Sequence, residues 1–218
     1  VVISCAEDSV SLGHRGRRAF AAIGRVIHGA QLREAIRACA YRFFYRSVHS
    51  QETCAASEYV KAHVKFVASL WRAPVEATVV RTTGIFSALE DLLPMARCGV
   101  LPLVGNGAAR TNPIDPQEVA ESVAGCVASG PAGLPSGGPR VLSRREIPLA
   151  RARALDRSGA LLPRMPAPIL RLAAKLLCPF HPRLVDLLEI FAAVGTIDCI
   201  AMVRGQRTLD GYLAARSC

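Results

Sequence analysis

Tyr59 and His63 stand four residues apart in the run Glu58–Leu70. On a helix each residue advances about 100°, so the two lie within about 40° of each other. A phenol and an imidazole therefore share one face. Lys61 falls about 200° from Tyr59, on the other side. A phenol is a proton donor whose ordinary pKa, near 10, drops when a cation stands beside it. An imidazole, with a pKa of about 6.5, is mostly neutral at neutral pH. It donates one hydrogen bond but supplies little field. Ser47 closes the run Phe43-Phe44-Tyr45-Arg46, where a hydroxyl could bond a carbonyl oxygen; Ser50 is the second choice. The plainer alternatives stay open. Tyr59 also fits a packed aromatic with a wet hydroxyl, and Ser47 a turn or cap residue.

The elements that must carry these residues alternate. Val1–Cys5 reads as a short buried strand already under way, with something upstream absent. Residues 20–39 place Ile23, Ile27, Ala30, Ile36 and Cys39 at helical spacing. Phe43–Tyr45 is a second strand, 57–71 a helix, Ala77–Arg81 a third strand and 86–97 another helix. Strands alternating with helices predict a parallel sheet covered by helices. Val100–Val104, the turn Gly105-Asn106-Gly107 and Ala108–Ile114 read as a hairpin. Asp115-Pro116-Gln117-Glu118 opens a helix running to about Ser129, with an N-cap, Pro at the first position and Glu three residues on. The Gly/Pro/Ser-rich segment 130–139 reads as a loop. Ser143–Glu146 is a capping box, and helices follow over 166–178, 183–194 and 208–216. This divides the chain into a sheet domain, 1–129, and a smaller, mostly helical lobe, 130–218.

Composition narrows the function classes. The 218 residues are 51% hydrophobic and 20% charged, far from a disordered chain. The net charge is +10 with a pI near 9.7. Of the 27 basic residues only Lys61, Lys65 and Lys175 are lysines. Such an excess suits nucleic acid, an anionic membrane or a phosphate-bearing cofactor. The arginines are scattered, with short clusters at Arg15–Arg18 and Arg144–Arg145 and no aromatic-interleaved stripe, which argues against nucleic acid. The eight cysteines form no C-x-x-C pair, so no metal site is expected. The apolar runs at 166–180 and 190–203 are interrupted by Pro168, Arg171, Lys175 and Asp198, so no membrane span is expected. A cytoplasmic protein with free thiols follows as the expectation.

Taken in order, these motifs resemble the atypical short-chain dehydrogenase/reductase proteins of the NmrA-like group. Glu58–Val67 resembles the catalytic helix, Phe43–Ser47 and Ala77–Gly84 the strands on either side of it, and Val1–Cys5 the strand beside the cofactor. Leu103–Gly107 with Thr111–Ile114, and Gly137–Pro139 with Leu142–Ile147, resemble the approach to the substrate lobe. The resemblance covers essentially the whole chain. It implies a Rossmann-like parallel sheet, N-terminally incomplete, and an NAD(P)-dependent oxidoreductase acting on an unidentified small molecule. It makes Tyr59 the proton donor, His63 the ribose anchor and Ser47 a carbonyl orienter. Ser4, Cys5 and Ala6 would line the adenosine or ribose side, and Thr82, Thr83 and Gly84 would face the nicotinamide.

Two departures bear on activity. His63 occupies the position of the family's lysine, and no Gly-x-Gly-x-x-Gly turn for the pyrophosphate is present; Gly13-His14-Arg15-Gly16 follows the wrong strand. Dinucleotide binding is therefore expected to be weak or lost. The alternative implied by the same group is a non-enzymatic cofactor-sensing or assembly protein.

Overall fold

The computed structural model describes residues 1–4, 20–49, 58–157, 159–177 and 182–216. Cys5, Ala6, His14, the Arg15–Arg18 cluster, Ser50 and His181 lie outside the described residues.

Two βα units and a third strand come first: β1 (Val2–Ser4), α1 (Phe20–Arg37), β2 (Arg42–Val48), α2 (Glu58–Leu70) and β3 (Glu76–Thr82). β1 pairs in parallel with β2, setting Ser4 beside Tyr45. β2 pairs in parallel with β3, setting Tyr45 beside Val79 and Ser47 beside Arg81. Aromatic and β-branched residues on both sides of β2 and β3 suit strands buried on two faces. Alternation then sorts them. Phe43, Tyr45 and Val79 pack against Leu32 and Ala35 of α1 and Phe66, Val67 and Leu70 of α2. Phe44 and Val80 point the other way, toward Val119 and Val123. α2 obeys the helical period: Tyr59, Val60, His63, Phe66, Val67 and Leu70 are buried, while Lys61 pairs with Glu58 on the wet side.

The region after β3 departs from the expected helix over 86–97. A 3-10 segment, Phe86–Leu92, gives way to the short α3 (Leu93–Arg97). Pro94 has no N–H to continue an α-helical ladder through the junction. The expected hairpin over 100–114 is also corrected. β4 (Leu103–Val104) pairs in parallel with β8 (Arg164–Met165), and β5 (Arg110–Thr111) pairs antiparallel with β7 (Leu142–Ser143). The turn between β4 and β5 is real, with Gly107 at φ +72° and no room for a side chain against Leu103. It feeds two separate pairings because each arm finds a partner from the second half of the chain.

α4 (Pro116–Ala124) follows, shorter than expected, its C-terminal turn closed by Gly125. The segment expected to be a loop contains β6 (Gly133–Ser136), which joins β3 in parallel and completes the order β1-β2-β3-β6. Its four residues, Gly-Leu-Pro-Ser, carry little strand propensity; the edge position tolerates Pro135, and Leu134 is buried between Val80 and α4. The sheet thus draws residues from both sides of the 129/130 boundary. The remainder is helical: α5 (Glu146–Arg153), α6 (Ala167–Leu177), α7 (Pro182–Val194) and α8 (Leu209–Ala214). The architecture is α/β, a Rossmann-like parallel sheet with a mostly helical C-terminal portion. No helix of the described residues is long and apolar enough to cross a membrane.

The two capping motifs behave differently. Ser143 and Glu146 form the reciprocal box, with Ser143 N–H donating to Glu146 Oε2 at 2.6 Å and Glu146 N–H to Ser143 Oγ at 3.2 Å. At α4, Asp115 accepts from Gln117 N–H at 2.7 Å. Glu118 instead turns away and accepts from the N–H groups of Gln206 at 2.5 Å and Arg207 at 2.9 Å. A residue expected to cap its own helix ties the chain's C-terminal portion to it.

Candidate functional site

β1, β2 and β3 run in parallel; β2 and β3 end level at Val48 and Thr82, and β1 ends earlier, with Ser4 beside Tyr45. In open α/β sheets that end is where ligands bind. α2 begins beside it with Glu58 and Tyr59, so the helix brings its N-terminal turn to the strand ends. Pairing and alternation place Ser47 on the same sheet face as Tyr45, the face that α1 and α2 cover.

Tyr59 and His63 meet as their spacing predicts. Their ring centroids lie 4.5 Å apart, edge to face, and both residues are buried. The helix face they share continues inward to Tyr45, whose hydroxyl stands 2.6 Å from His63 Nδ1. His28 of α1 meets the Tyr45 ring edge to face, 4.9 Å between centroids, and Phe66 packs on both. His63 is thus a link between α2 and β2.

Burial decides the charge states here. Desolvation pushes the His63 pKa down to about 4, helped by the positive charge of Arg46, so the imidazole is neutral at neutral pH. Desolvation lowers His28 as well, with His63 acting in the same direction and a hydrogen bond from the His28 ring to Gln31 opposing. Tyr59 is pushed up to about 12 by burial, against the opposing pull of Arg46. Burial raises Tyr45 further. The Tyr59 phenol therefore stays protonated, and His63 supplies no cation to stabilise a phenolate.

The hydroxyls expected to face the cofactor are engaged by the fold. Ser4 is buried, donates to Gln31 Oε1 at 2.6 Å and lies 3.4 Å from His28 Nδ1. Thr83 donates to the Asn112 carbonyl at 2.7 Å. Thr82 and Ser47 are both buried, Ser47 completely. Gly84 accepts from Ile114 N–H at 3.0 Å through its carbonyl; a Cβ there would meet only Pro113 at an ordinary 3.6 Å. The glycine is a turn residue without a close approach.

Two groups that the sequence reading passed over organise this end of the sheet. Tyr45 precedes Ser47 by two, so strand alternation was the available signal. Asn112 is fully buried and pairs with Ala201 through both amide atoms, Nδ2 to the carbonyl and Oδ1 from the N–H, each at 2.9 Å. Its Nδ2 also donates to Gly138 O at 3.1 Å, and nothing local in the sequence marks that role. Gly137 and Gly138 permit the approach: a Cβ on Gly138 would sit 1.9 Å from the Pro113 carbonyl oxygen. The result is a strap over 199–207 held across the ends of β3 and β6. Among the described residues no group of His, Cys, Asp or Glu could hold a metal ion.

With this geometry the chain superposes on nicotinamide-dependent enzymes. An NADPH-dependent quinone oxidoreductase from Escherichia coli, complexed with NADPH, matches 94% of this chain and 74% of its own, with TM-score 0.62 and 16% identity. A triphenylmethane reductase from Citrobacter sp., complexed with NADP(H), matches 93% and 74%, with TM-score 0.63 and 13% identity. The chain has a Rossmann-type fold. A dTDP-glucose 4,6-dehydratase from Streptomyces venezuelae, with NAD and TYD bound, matches 76% of this chain but only 60% of its own, with TM-score 0.59 and 17% identity. The chain thus covers less than two thirds of the dehydratase's length. No protein-family model matches the sequence, and no relative is found among curated proteins.

Proposed function

We propose that the chain is an NAD(P)-dependent oxidoreductase of the atypical short-chain dehydrogenase/reductase type, reducing a small molecule. The observation that carries this reading is the clustering of Tyr59 with Val48 at the carboxyl end of β2, level with the end of β3, in a fold whose neighbours include NADPH complexes. The residues present fit one half of a dinucleotide better than the other. On the nicotinamide side, the backbone of Thr82, Thr83 and Gly84 would meet the cofactor where β3 ends, level with Val48 of β2. On the adenosine side the Ser4 hydroxyl is already spent on Gln31. The cofactor would supply the hydride. Tyr59, protonated at neutral pH, would hold the proton for the substrate oxygen, and Ser47 would orient the carbonyl. His63, fixed by Tyr45, would set the Tyr59 ring and meet the ribose.

Calorimetric titration with NADPH and with NADH tests cofactor binding, and oxidation of NADPH with quinone or carbonyl substrates tests turnover. Saturable but weak binding is expected, with turnover lost in Tyr59→Phe and binding kept. An absence of binding overturns the reading; unchanged turnover in Tyr59→Phe removes the assigned acid.

A second reading rests on the neutral His63 and the raised Tyr59. With His63 neutral and burial outweighing the pull of Arg46 on the Tyr59 phenol, proton transfer loses its driving partner, and the same cleft would serve a non-enzymatic cofactor sensor. Binding without reduction of any acceptor is its signature.

A further inference from the structure

α6 is apolar on two opposite sides. Ala167, Leu170 and Ala174 form the buried side, and Ala167 and Leu170 pack with Leu188 and Ala192 of α7 and Val104 of β4. Nearly opposite, Ile169, Leu172 and Leu176 occupy an arc of about 60° and are 60%, 58% and 67% exposed. The chain entering the helix continues the pattern, with Leu161 at 68% and Met165 at 36%. A helix facing water carries polar residues on its outer side. α2 does so with Glu58, Lys61 and Lys65, all three exposed. α6 does not, and an unbroken exposed apolar stripe marks an interaction surface.

The charges beside the stripe indicate its partner. Arg171 and Lys175 are exposed along one flank of α6, Arg164 is exposed just before it, and the helix sequence Ala-Pro-Ile-Leu-Arg-Leu-Ala-Ala-Lys-Leu-Leu has no acid. A second copy docked on the same face would bring these cations toward one another. An anionic surface attracts them, by about five-fold in affinity per residue. The helix has 11 residues, too few to cross a bilayer but enough to lie in its interface with the apolar side down.

We propose that the outer face of α6, with Leu161 and Met165, docks on an anionic lipid bilayer. The surface lies outside the candidate site and stands whether or not the chain reduces a substrate.

Co-sedimentation of the full chain with phosphatidylcholine vesicles, with and without phosphatidylglycerol, tests it. Binding at least about ten-fold stronger to the anionic vesicles is expected, falling in high salt as screening shortens the reach of the cations. The Ile169→Ser/Leu172→Ser/Leu176→Ser variant should lower that binding by about two orders of magnitude, and Arg171→Gln/Lys175→Gln by about 25-fold. Circular dichroism shows whether each variant keeps its fold; Leu172→Ser alone, about five-fold weaker, serves if the triple variant does not. Equal binding to both vesicle types, or binding unmoved by the variants, overturns the proposal. So does an absence of vesicle binding, whether light scattering then shows a monomer or a dimer built on this face.

Discussion

On one face of the sheet Phe43, Tyr45 and Val79 meet two long helices, and the polar groups among them, His28, His63 and Ser4, are drawn into hydrogen bonds or ring contacts. On the other, Phe44 and Val80 meet α4, and beside it lies a cleft of about 460 Å³ reaching to Ile3 and Ser4 on the edge strand. The two faces arise from adjacent residues of the same strands. The first is a closed core in which burial sets every charge state. The second is half closed, lined by Val119, Ala120, Val123 and Arg46, and accepts change more readily.

The largest test of that contrast is a cavity on the closed face. Leu70, fully buried against Phe43 and Val79, should cost about 2 to 5 kcal/mol as Leu70→Ala, measured by urea denaturation. A comparable cost here and at Val123→Ala, on the open face, would erase the distinction.

Acid should act on the closed face next. The folded His63 pKa, about 4, lies below the unfolded value of about 6.5. The unfolded chain therefore takes up the proton first as pH falls. Stability is full above pH 6.5 and declines toward pH 4, by about 3 kcal/mol for this residue. His28, shifted in the same direction, adds to the decline. His63→Gln, neutral throughout and still able to bond Tyr45, should flatten the profile over that window; a profile identical to the wild type would show that His63 is not the buried group titrating.

A smaller effect is expected where α4 holds the strap. Glu118→Gln weakens the charge-assisted bonds from Gln206 and Arg207 N–H and should cost about 1 to 2 kcal/mol. Faster hydrogen exchange confined to 199–207 would be the accompanying sign. The smallest change is expected in the cleft itself. Ala120→Val, facing open space, should shift stability by less than about 1 kcal/mol. A loss as large as that of Leu70→Ala would mean the two faces are equally closed.

Much of this was legible before any coordinates. The period of Tyr59, His63, Phe66, Val67 and Leu70 fixed the helix and its inward face, and β-branched and aromatic runs marked β2 and β3. What local pattern missed was long-range. Gly133–Ser136 reads as a loop because glycine and proline dominate it, yet the edge of a sheet needs only four residues and one buried leucine there. Glu118 reads as a cap because spacing permits it, yet the backbone of Gln206, 88 positions on, makes the better partner.

The sequence by itself determined that Tyr59 and His63 share a face and that parallel strands end near them, because helical and strand periods are local properties of the chain. Only the tertiary structure decided what those groups are chemically. Placing His63 between Tyr59 and Tyr45, away from water, makes it neutral and leaves the Tyr59 phenol protonated. Desolvation depends on everything packed around a group, and no spacing in the sequence records that.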